Sequence, residues 1–327
     1  MTTKTIGINI PCFNEEDNII EMVNQLTALF DQRLKNYNYI IQFIDNHSTD
    51  KTRSLLKQIC SENPKVRAIF NARNFPKTSG YYGIIQAIGD CVISIPADFQ
   101  VPLDLIPQMV NEWEKGAKIV CLIKESSEEK RIMWNIRQTY YYFYKRFSET
   151  DVLKNFTGSG LYDKQFLDLC RTINDPVVSF YQQITQLGYN IVKIPYKQKL
   201  RKKGKSKNNL WTLLDFAIIR FTNASSVGPR FATVAGFLAS FLSAIIAIIY
   251  LILKLMFWDK FPAGTVPILI GVFFIGAIQL FFIGLIGEYI IKCNTRLMNY
   301  PLVVEEERLN FSQSDLEGRD GYETNMS

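Results

Sequence analysis

Thr5-Ile6-Gly7-Ile8-Asn9-Ile10-Pro11-Cys12-Phe13-Asn14-Glu15-Glu16-Asp17 is the stretch that decides the fold. Thr5 to Ile10 reads as a short apolar strand. Asn14 then reads as a helix N-cap, with Glu15, Glu16 and Asp17 in the first turn, where acids complement the helix dipole. The same unit recurs down the chain. Tyr39 to Ile44 is a second strand ending at Asp45, and Ser48 can cap the helix that follows, to about Glu62. Val66 to Phe70, Cys91 to Ile95, Ile119 to Ile123 and Asn190 to Tyr196 are further strands, and Leu103 to Lys115 is a helix. Strand–helix alternation predicts an α/β domain with a mainly parallel sheet covered by helices on both faces. Ligands of such sheets bind beyond the carboxyl ends of the strands. The polar clusters fall there: Asn14-Glu15, Asp45-Asn46 and Asp98.

The second half of the 327-residue chain is different in kind. Phe231 to Leu253 carries no charge over 23 residues and Ala263 to Gly287 none over 25. As helices these runs extend roughly 34 and 37 Å, enough to cross a hydrocarbon core about 30 Å thick. Only Lys254 to Pro262 separates them, so the sequence predicts a tight hairpin with both chain ends on one side. No signal peptide precedes Thr5, which places that side in the cytosol. Arg220, Arg230, Lys292 and Arg296 flank the hairpin there, and Phe257 and Trp258 suit the far interface. Gly236, Ser240 and Ala244 recur every four residues in the first span and permit close packing in the hairpin or between subunits, so a homo-oligomer is expected.

The six cysteines form no C-x-x-C pair and read as reduced, mostly buried thiols. His47 is the single histidine, which argues against a Ser-His triad or a His-rich zinc site. Glu129 to Ser148 reads as a long tyrosine-rich helix. Lys197, Lys199, Arg201, Lys202, Lys203, Lys205 and Lys207 then put seven positive charges in eleven residues. Beside a membrane helix such a run attracts anionic lipid by about 1 kcal/mol per residue. Nucleic acid would use the same charges, but the adjoining hairpin argues against that partner. Asn208 to Phe221, with Trp211, Leu214, Ile218 and Phe221 at helical spacing, is an amphipathic helix suited to the membrane interface.

Several short motifs now stand in order: Pro11-Cys12-Phe13-Asn14-Glu15-Glu16, Asp45-Asn46-His47-Ser48-Thr49-Asp50, Arg73-Asn74-Phe75, Gly89-Asp90, Asp98-Phe99-Gln100, Arg201-Lys202-Lys203-Gly204-Lys205-Ser206-Lys207, and Gly287-Glu288-Tyr289-Ile290 at the end of the hairpin. Together they resemble family 2 glycosyltransferases of the GT-A fold, in the polyprenyl-phosphate group of dolichyl-phosphate mannose synthase and bactoprenol glucosyltransferase. The resemblance covers nearly the whole chain. It implies a GT-A catalytic domain over 1–207, a juxtamembrane helix over 208–230, a hairpin over 231–292 with spans of about 231–254 and 263–288, and a cytosolic tail over 293–327.

The resemblance also implies roles. Pro11, Asn14, Glu15, Asp45, Asn46, Arg73, Asp98, Arg201, Ser206 and Lys207 would contact the nucleotide-sugar. Asp45 suits a uridine, because a carboxylate at a strand end can accept the uracil N3–H. Asp98 and Gln100 would be the catalytic and metal-binding pair, holding Mg²⁺ or Mn²⁺ through oxygen ligands against the substrate phosphates. The family pattern is Asp-x-Asp-x-Gln-Asp, and here Pro96 and Val101 replace its first and last acids. Lys124, Arg131, Arg137 and Tyr141 would hold the lipid phosphate, with Arg137 and Tyr141 at i and i+4 on one helix face. A phosphate monoester is substantially dianionic at neutral pH and needs no general base. This agrees with Gly158-Ser159-Gly160, where relatives carry an acid.

The expected activity is an inverting transfer of a hexose from a UDP-sugar, UDP-glucose by default, to undecaprenyl phosphate at the inner face of a bacterial inner membrane. The product would feed O-antigen or another envelope glycan. A processive polysaccharide synthase is the second enzyme reading, opposed by two spans and the lack of a Gln-x-x-Arg-Trp segment. A non-catalytic membrane scaffold is the third, motivated by Pro96 and Val101.

Overall fold

Ile6, Ile8 and Ile10 point to one face of strand β1 (Thr5–Cys12) and Gly7 and Asn9 to the other, the period-2 alternation of a strand covered on both sides. The chain is described from a computed structural model over residues 3–126, 153–173, 180–198, 265–297 and 301–312, with six further helical positions at Leu238, Phe241, Ile245, Ile249, Ile252 and Met256. After β1 come α1 (Ile19–Arg33), β2 (Asn38–Asp45), α2 (Thr52–Glu62), β3 (Val66–Asn71), α3 (Ser79–Gln86), β4 (Cys91–Ser94), α4 (Leu105–Glu114) and β5 (Ile119–Ser126). Next are β6 (Phe156–Asp163), α5 (Lys164–Thr172), α6 (Phe180–Gln186), β7 (Ile191–Lys197), α7 (Thr265–Leu297) and β8 (Glu305–Leu309).

The strands form one eight-stranded sheet in the order β7-β5-β6-β4-β1-β2-β3-β8. β4, β1, β2 and β3 run parallel, and β5 and β7 share their direction. Two strands run against the rest: β6, between β4 and β5, and β8, on the outer edge of β3. The expected α/β layering is therefore present. On one face α1, α2 and α4 bury Met22, Leu26, Phe30, Leu56, Ile106 and Met109 against Ile6, Ile8 and Phe43. On the other, α3, α5 and α6 bury Ile84, Phe166, Leu167 and Ile184 against Val92, Ile119 and Tyr162.

Two helix starts differ from the sequence reading. The N-cap of α1 is Asn18, not Asn14, and α2 begins at Thr52 with Lys51 at the cap position rather than Ser48. Both displaced residues serve the loops instead. The polar tail expected from 293 on also differs, because β8 returns to the sheet with Ala68 opposite Leu309 and Phe70 opposite Glu307.

α7 is a continuous helix of 33 residues, about 50 Å long at 1.5 Å per residue. On the described residues alone no helix is long and apolar enough to cross a membrane. Ile268, Val272, Ile275, Ile283, Ile286 and Ile290 on α7, and Leu238, Phe241, Ile245, Ile249, Ile252 and Met256 before it, are all exposed. The second set recurs at three- and four-residue steps and the first does so with one two-turn gap between Ile275 and Ile283, which makes each a stripe along one helix face. Five cysteines are buried and Cys293 is exposed, all as free thiols. The expected helices over 129–148 and 208–221 lie outside the described residues.

Candidate active site

The carboxyl ends of β4, β1, β2 and β3 make one rim, and those of β5 and β7 continue it beyond β6. Three loops on this rim have a non-glycine residue in the left-handed region: Asn14 (φ 55°), His47 (φ 65°) and Phe99 (φ 55°). Such backbone costs on the order of 1 kcal/mol or more and concentrates at functional sites.

The first two loops are sewn together. The Asn14 N–H donates to Ser48 Oγ (2.8 Å), and Asn14 Oδ1 accepts the Thr49 N–H (2.7 Å). The Glu15 N–H donates to Thr52 Oγ1 (2.9 Å), and Glu16 accepts the Lys51 N–H (2.8 Å). Asn14 and Ser48 thus spend their hydrogen bonds across the loops, which is why neither caps the helix that follows.

Asp45 ends β2 opposite Cys12 on β1 and is fully buried. Its carboxylate accepts the Ser48 N–H (3.1 and 3.3 Å), and Arg53 Nε stands 3.2 Å from Oδ2. That ion contact is not aligned as a hydrogen bond. Burial raises the Asp45 pKa above the usual carboxylate value, opposed by the Ser48 hydrogen bonds and by Arg53. Asn46 serves the third loop. Its Oδ1 accepts the Phe75 N–H (2.7 Å) and Asn71 Nδ2 (3.1 Å), and its Nδ2 donates to Asn74 Oδ1 (2.7 Å). The segment carrying Arg73 is thereby fixed beside β2, with the exposed Arg73 guanidinium 4.7 Å over the Phe75 ring.

Asp98 lies across β1 from this cluster, four residues past β4, and is 4% exposed. Its Oδ1 accepts the Gln100 N–H (3.2 Å), which folds the loop back at Phe99. Tyr196, buried on β7 opposite Lys124 of β5, is close enough to Asp98 to feel its charge. Burial raises the Tyr196 pKa, a hydrogen bond with Thr157 lowers it, and Asp98 raises it further. Among the described residues no group of three or more His, Cys, Asp or Glu side chains could hold a metal. Asp98 with the half-buried Gln100 fits a cation carried mainly by substrate phosphates, the usual Mg²⁺ arrangement, and not a closed protein cage.

The rim therefore brings together Pro11, Asn14, Glu15, Asp45, Asn46 and Arg73 on one side and Asp98, Gln100 and Lys124 on the other. With strands about 4.8 Å apart, β2 and β4 are separated by roughly 10 Å, room for a nucleotide laid across the end of β1. Arg131, Arg137, Tyr141, Arg201, Ser206 and Lys207 lie outside the described residues. Sequence reading missed Arg53, Asn71 and Tyr196. No local pattern ties Arg53 to Asp45, Tyr196 to Asp98 or Asn71 to Asn46.

Residues 8–167 match the family described as Glycosyl transferase family 2. The SfII prophage-derived bactoprenol glucosyl transferase of Shigella flexneri is 28% identical over 90% of this chain and 96% of that protein. The prophage bactoprenol glucosyl transferase homolog of Escherichia coli K12 is 28% identical over 87% and 93% of the two chains. The uncharacterized glycosyltransferase YkoT of Bacillus subtilis is 31% identical over 87% and 86%. Among solved structures, the glucosyl-3-phosphoglycerate synthase of Mycobacterium tuberculosis aligns over 66% of this chain and 75% of that one at 16% identity and a TM-score of 0.43, a likeness too distant to carry a functional argument. With YkoT matched above 30% identity along most of its length, and a rim of the expected residues at the strand ends, the chain is a glycosyltransferase and belongs to family 2.

Proposed function

We propose that the enzyme transfers a hexose from a UDP-sugar, UDP-glucose by preference, to a polyprenyl phosphate such as undecaprenyl phosphate, with inversion at the anomeric carbon. The observation that carries this reading is the extent of the likeness. The family 2 match ends at residue 167, yet similarity to relatives named bactoprenol glucosyl transferase continues over 87 to 90% of the chain, into the apolar C-terminal half. The site suits the chemistry. Asp45 offers an acceptor for uracil N3–H, and the rim spans toward Asp98, where the diphosphate would lie. A lipid phosphate oxygen attacks the anomeric carbon, the bond to the diphosphate breaks, and UDP leaves with the electron pair. No base is needed for a nucleophile already anionic. Asp98 and Gln100 would hold Mg²⁺ or Mn²⁺, which when bound would neutralise the departing diphosphate. The test is a screen of radiolabelled nucleotide-sugars on membranes containing the protein. A lipid-linked product from UDP-glucose is expected; no product from any UDP-sugar would overturn the reading.

The cationic side chains fit the acceptor. Lys124 reaches the rim at the end of β5, and Arg137, on the segment that follows, would make a charge-assisted contact to the lipid phosphate. Losing one such contact costs about 2 kcal/mol, so Arg137→Ala should raise the KM for polyprenyl phosphate roughly thirtyfold. UDP affinity measured by calorimetry should stay unchanged; an equal loss of both would assign Arg137 a structural role.

The proposed setting is a bacterial inner membrane, crossed twice by the apolar runs, with the catalytic domain in the cytosol. The exposed apolar stripes suit lipid. Because β8 follows α7 and is bonded to β3, the chain must come back to the side it left after β7, which favours an even number of crossings. Membrane-impermeant maleimide is expected to label neither Ile20→Cys nor Asp315→Cys in intact cells and both after permeabilisation. External labelling of either position would refute the two-span topology.

A further inference from the structure

β8 does more than close the edge of the sheet. Phe70 pairs with Glu307 and the next residue, Asn71, with Glu305, so Glu306 is the extra residue of a β-bulge. Bulges re-aim a side chain and recur beside active sites. Here the bulge directs Glu306 at Arg53, with Arg53 Nη2 2.7 Å from Oε2. The other side of the same guanidinium faces Asp45 at 3.2 Å, and its carbon lies 5.1 Å over the Phe70 ring. A second bridge, Lys57 to Glu307 (2.5 Å), runs alongside. The segment around β8 is held independently: the Ala72 N–H donates to the Val304 carbonyl, Thr78 Oγ1 to the Leu302 carbonyl, and Asn310 Nδ2 to the Cys60 and Val66 carbonyls.

We propose that Arg53 is a positioning residue that orients the Asp45 carboxylate as an acceptor for a nucleobase N–H, and that the bulged C-terminal strand holds Arg53 in place through Glu306. This rests on the reading of Asp45 as the uracil contact. Glu306 is half-exposed, and an ion pair in water adds little stability. The arrangement therefore acts on recognition more than on folding. The groups facing Asp45 are Arg53 from α2, Asp50 from its own loop, which raises its pKa, and the Cys12 thiol on β1, which burial pushes up and keeps neutral. β3 presents Phe70 and Asn71, which carry no charge. Arg53 is thus the one cation among these groups. Without it the carboxyl protonates at higher pH, and a protonated carboxyl donates where uracil needs an acceptor. Cytosine N3 is itself an acceptor, so it would gain relative to uracil.

The experiment is calorimetric binding of UDP and CDP to the full chain in detergent, from pH about 5.5 to about 8. The wild type is expected to prefer UDP. Arg53→Gln should weaken UDP about tenfold at neutral pH, at the low end for one lost charged contact. Its UDP affinity should fall off at higher pH on acidification, and the UDP-to-CDP ratio should shrink. Arg53→Lys should recover part of the loss. Glu306→Gln, which leaves the core intact, should move both readouts the same way by less. A wild-type preference for UDP with an unaltered profile in Glu306→Gln and in any foldable Arg53 variant overturns the proposal. Lack of preference for UDP in the wild type overturns the assignment of Asp45 itself, and this inference with it.

Discussion

Asp98→Asn is expected to lower turnover by about 100-fold or more while changing UDP affinity only about threefold, the scale of removing one key electrostatic group from a transition state. The substitution is nearly isosteric. Its amide oxygen can still accept the Gln100 N–H that holds the turn at Phe99, so the loop should keep its shape and only the charge is lost. No neighbour in the same loop can replace that charge, since positions 96 and 101 are proline and valine. On the proposed reading, binding of UDP would draw on the whole rim from Asp45 to Arg73, and a phosphate-borne cation would keep water and phosphate ligands without Asp98. Turnover differs because negative charge builds on the diphosphate only as the glycosidic bond breaks. Chelator should inhibit the wild type, and Mg²⁺ or Mn²⁺ should restore it. Near-normal turnover of Asp98→Asn together with indifference to chelator would remove the metal and Asp98 from the mechanism.

What could be read in the sequence follows from where the information sits. β1, β2, β3, β5 and β7 are continuous apolar or alternating runs, and Asp45 and Asp98 were placed correctly because a strand end is a local event. β6, Phe-Thr-Gly-Ser-Gly-Leu-Tyr-Asp, has glycines and hydroxyls where a strand usually shows branched side chains. Its pairing comes from β4 and β5 on both sides. β8, Glu-Glu-Glu-Arg-Leu, has no strand signature at all. Its place in the sheet comes from antiparallel pairing with β3, and its acids meet Lys57 and Arg53, some 250 residues earlier. α3 was hidden by Gly80 and Gly83, which look like helix breakers. Gly83 is required because α3 lies against the sheet there, where Gln42 Nε2 donates to the Gly83 carbonyl at 2.8 Å and a Cβ on Gly83 would meet Asn9 Oδ1 at 2.3 Å, whereas a Cβ on Gly80 would meet nothing. The helix caps were misplaced for a related reason. Asn14 and Ser48 are good capping residues by type, but their oxygens are claimed by the opposite loop. Short-range rules thus placed Asp45 and Asp98 beyond the strand ends. They missed Arg53 and Tyr196, whose contacts exist only after the sheet is assembled.

Gly160→Ala is expected to destabilise the enzyme by about 3 kcal/mol, the upper end for overpacking a close contact, lowering the apparent midpoint by roughly 6–12 °C for a domain of this size. Gly160 sits in β6 between Ser94 of β4 and Cys121 of β5. A Cβ there would fall 2.3 Å from the Val120 carbonyl oxygen and 3.3 Å from both Cys121 Cα and Tyr162 Oη. The nearest two are backbone atoms of the adjacent strand, so relief requires pulling β5 from β6 rather than turning a side chain. That movement would also disturb the rim, because β5 carries Lys124 and β6 carries Thr157, the partner of Tyr196 beside Asp98. Gly80→Ala is the control. Its Cβ meets nothing within 4 Å and its backbone is helical, so alanine should leave the midpoint unchanged or raise it, by about 0.5 kcal/mol. The measurement is thermal unfolding of the full chain in detergent, with transfer activity assayed in parallel. A wild-type midpoint for Gly160→Ala would mean that β6 does not approach β5 this closely. The antiparallel strand between β4 and β5 would then stand farther from β5 than this contact requires.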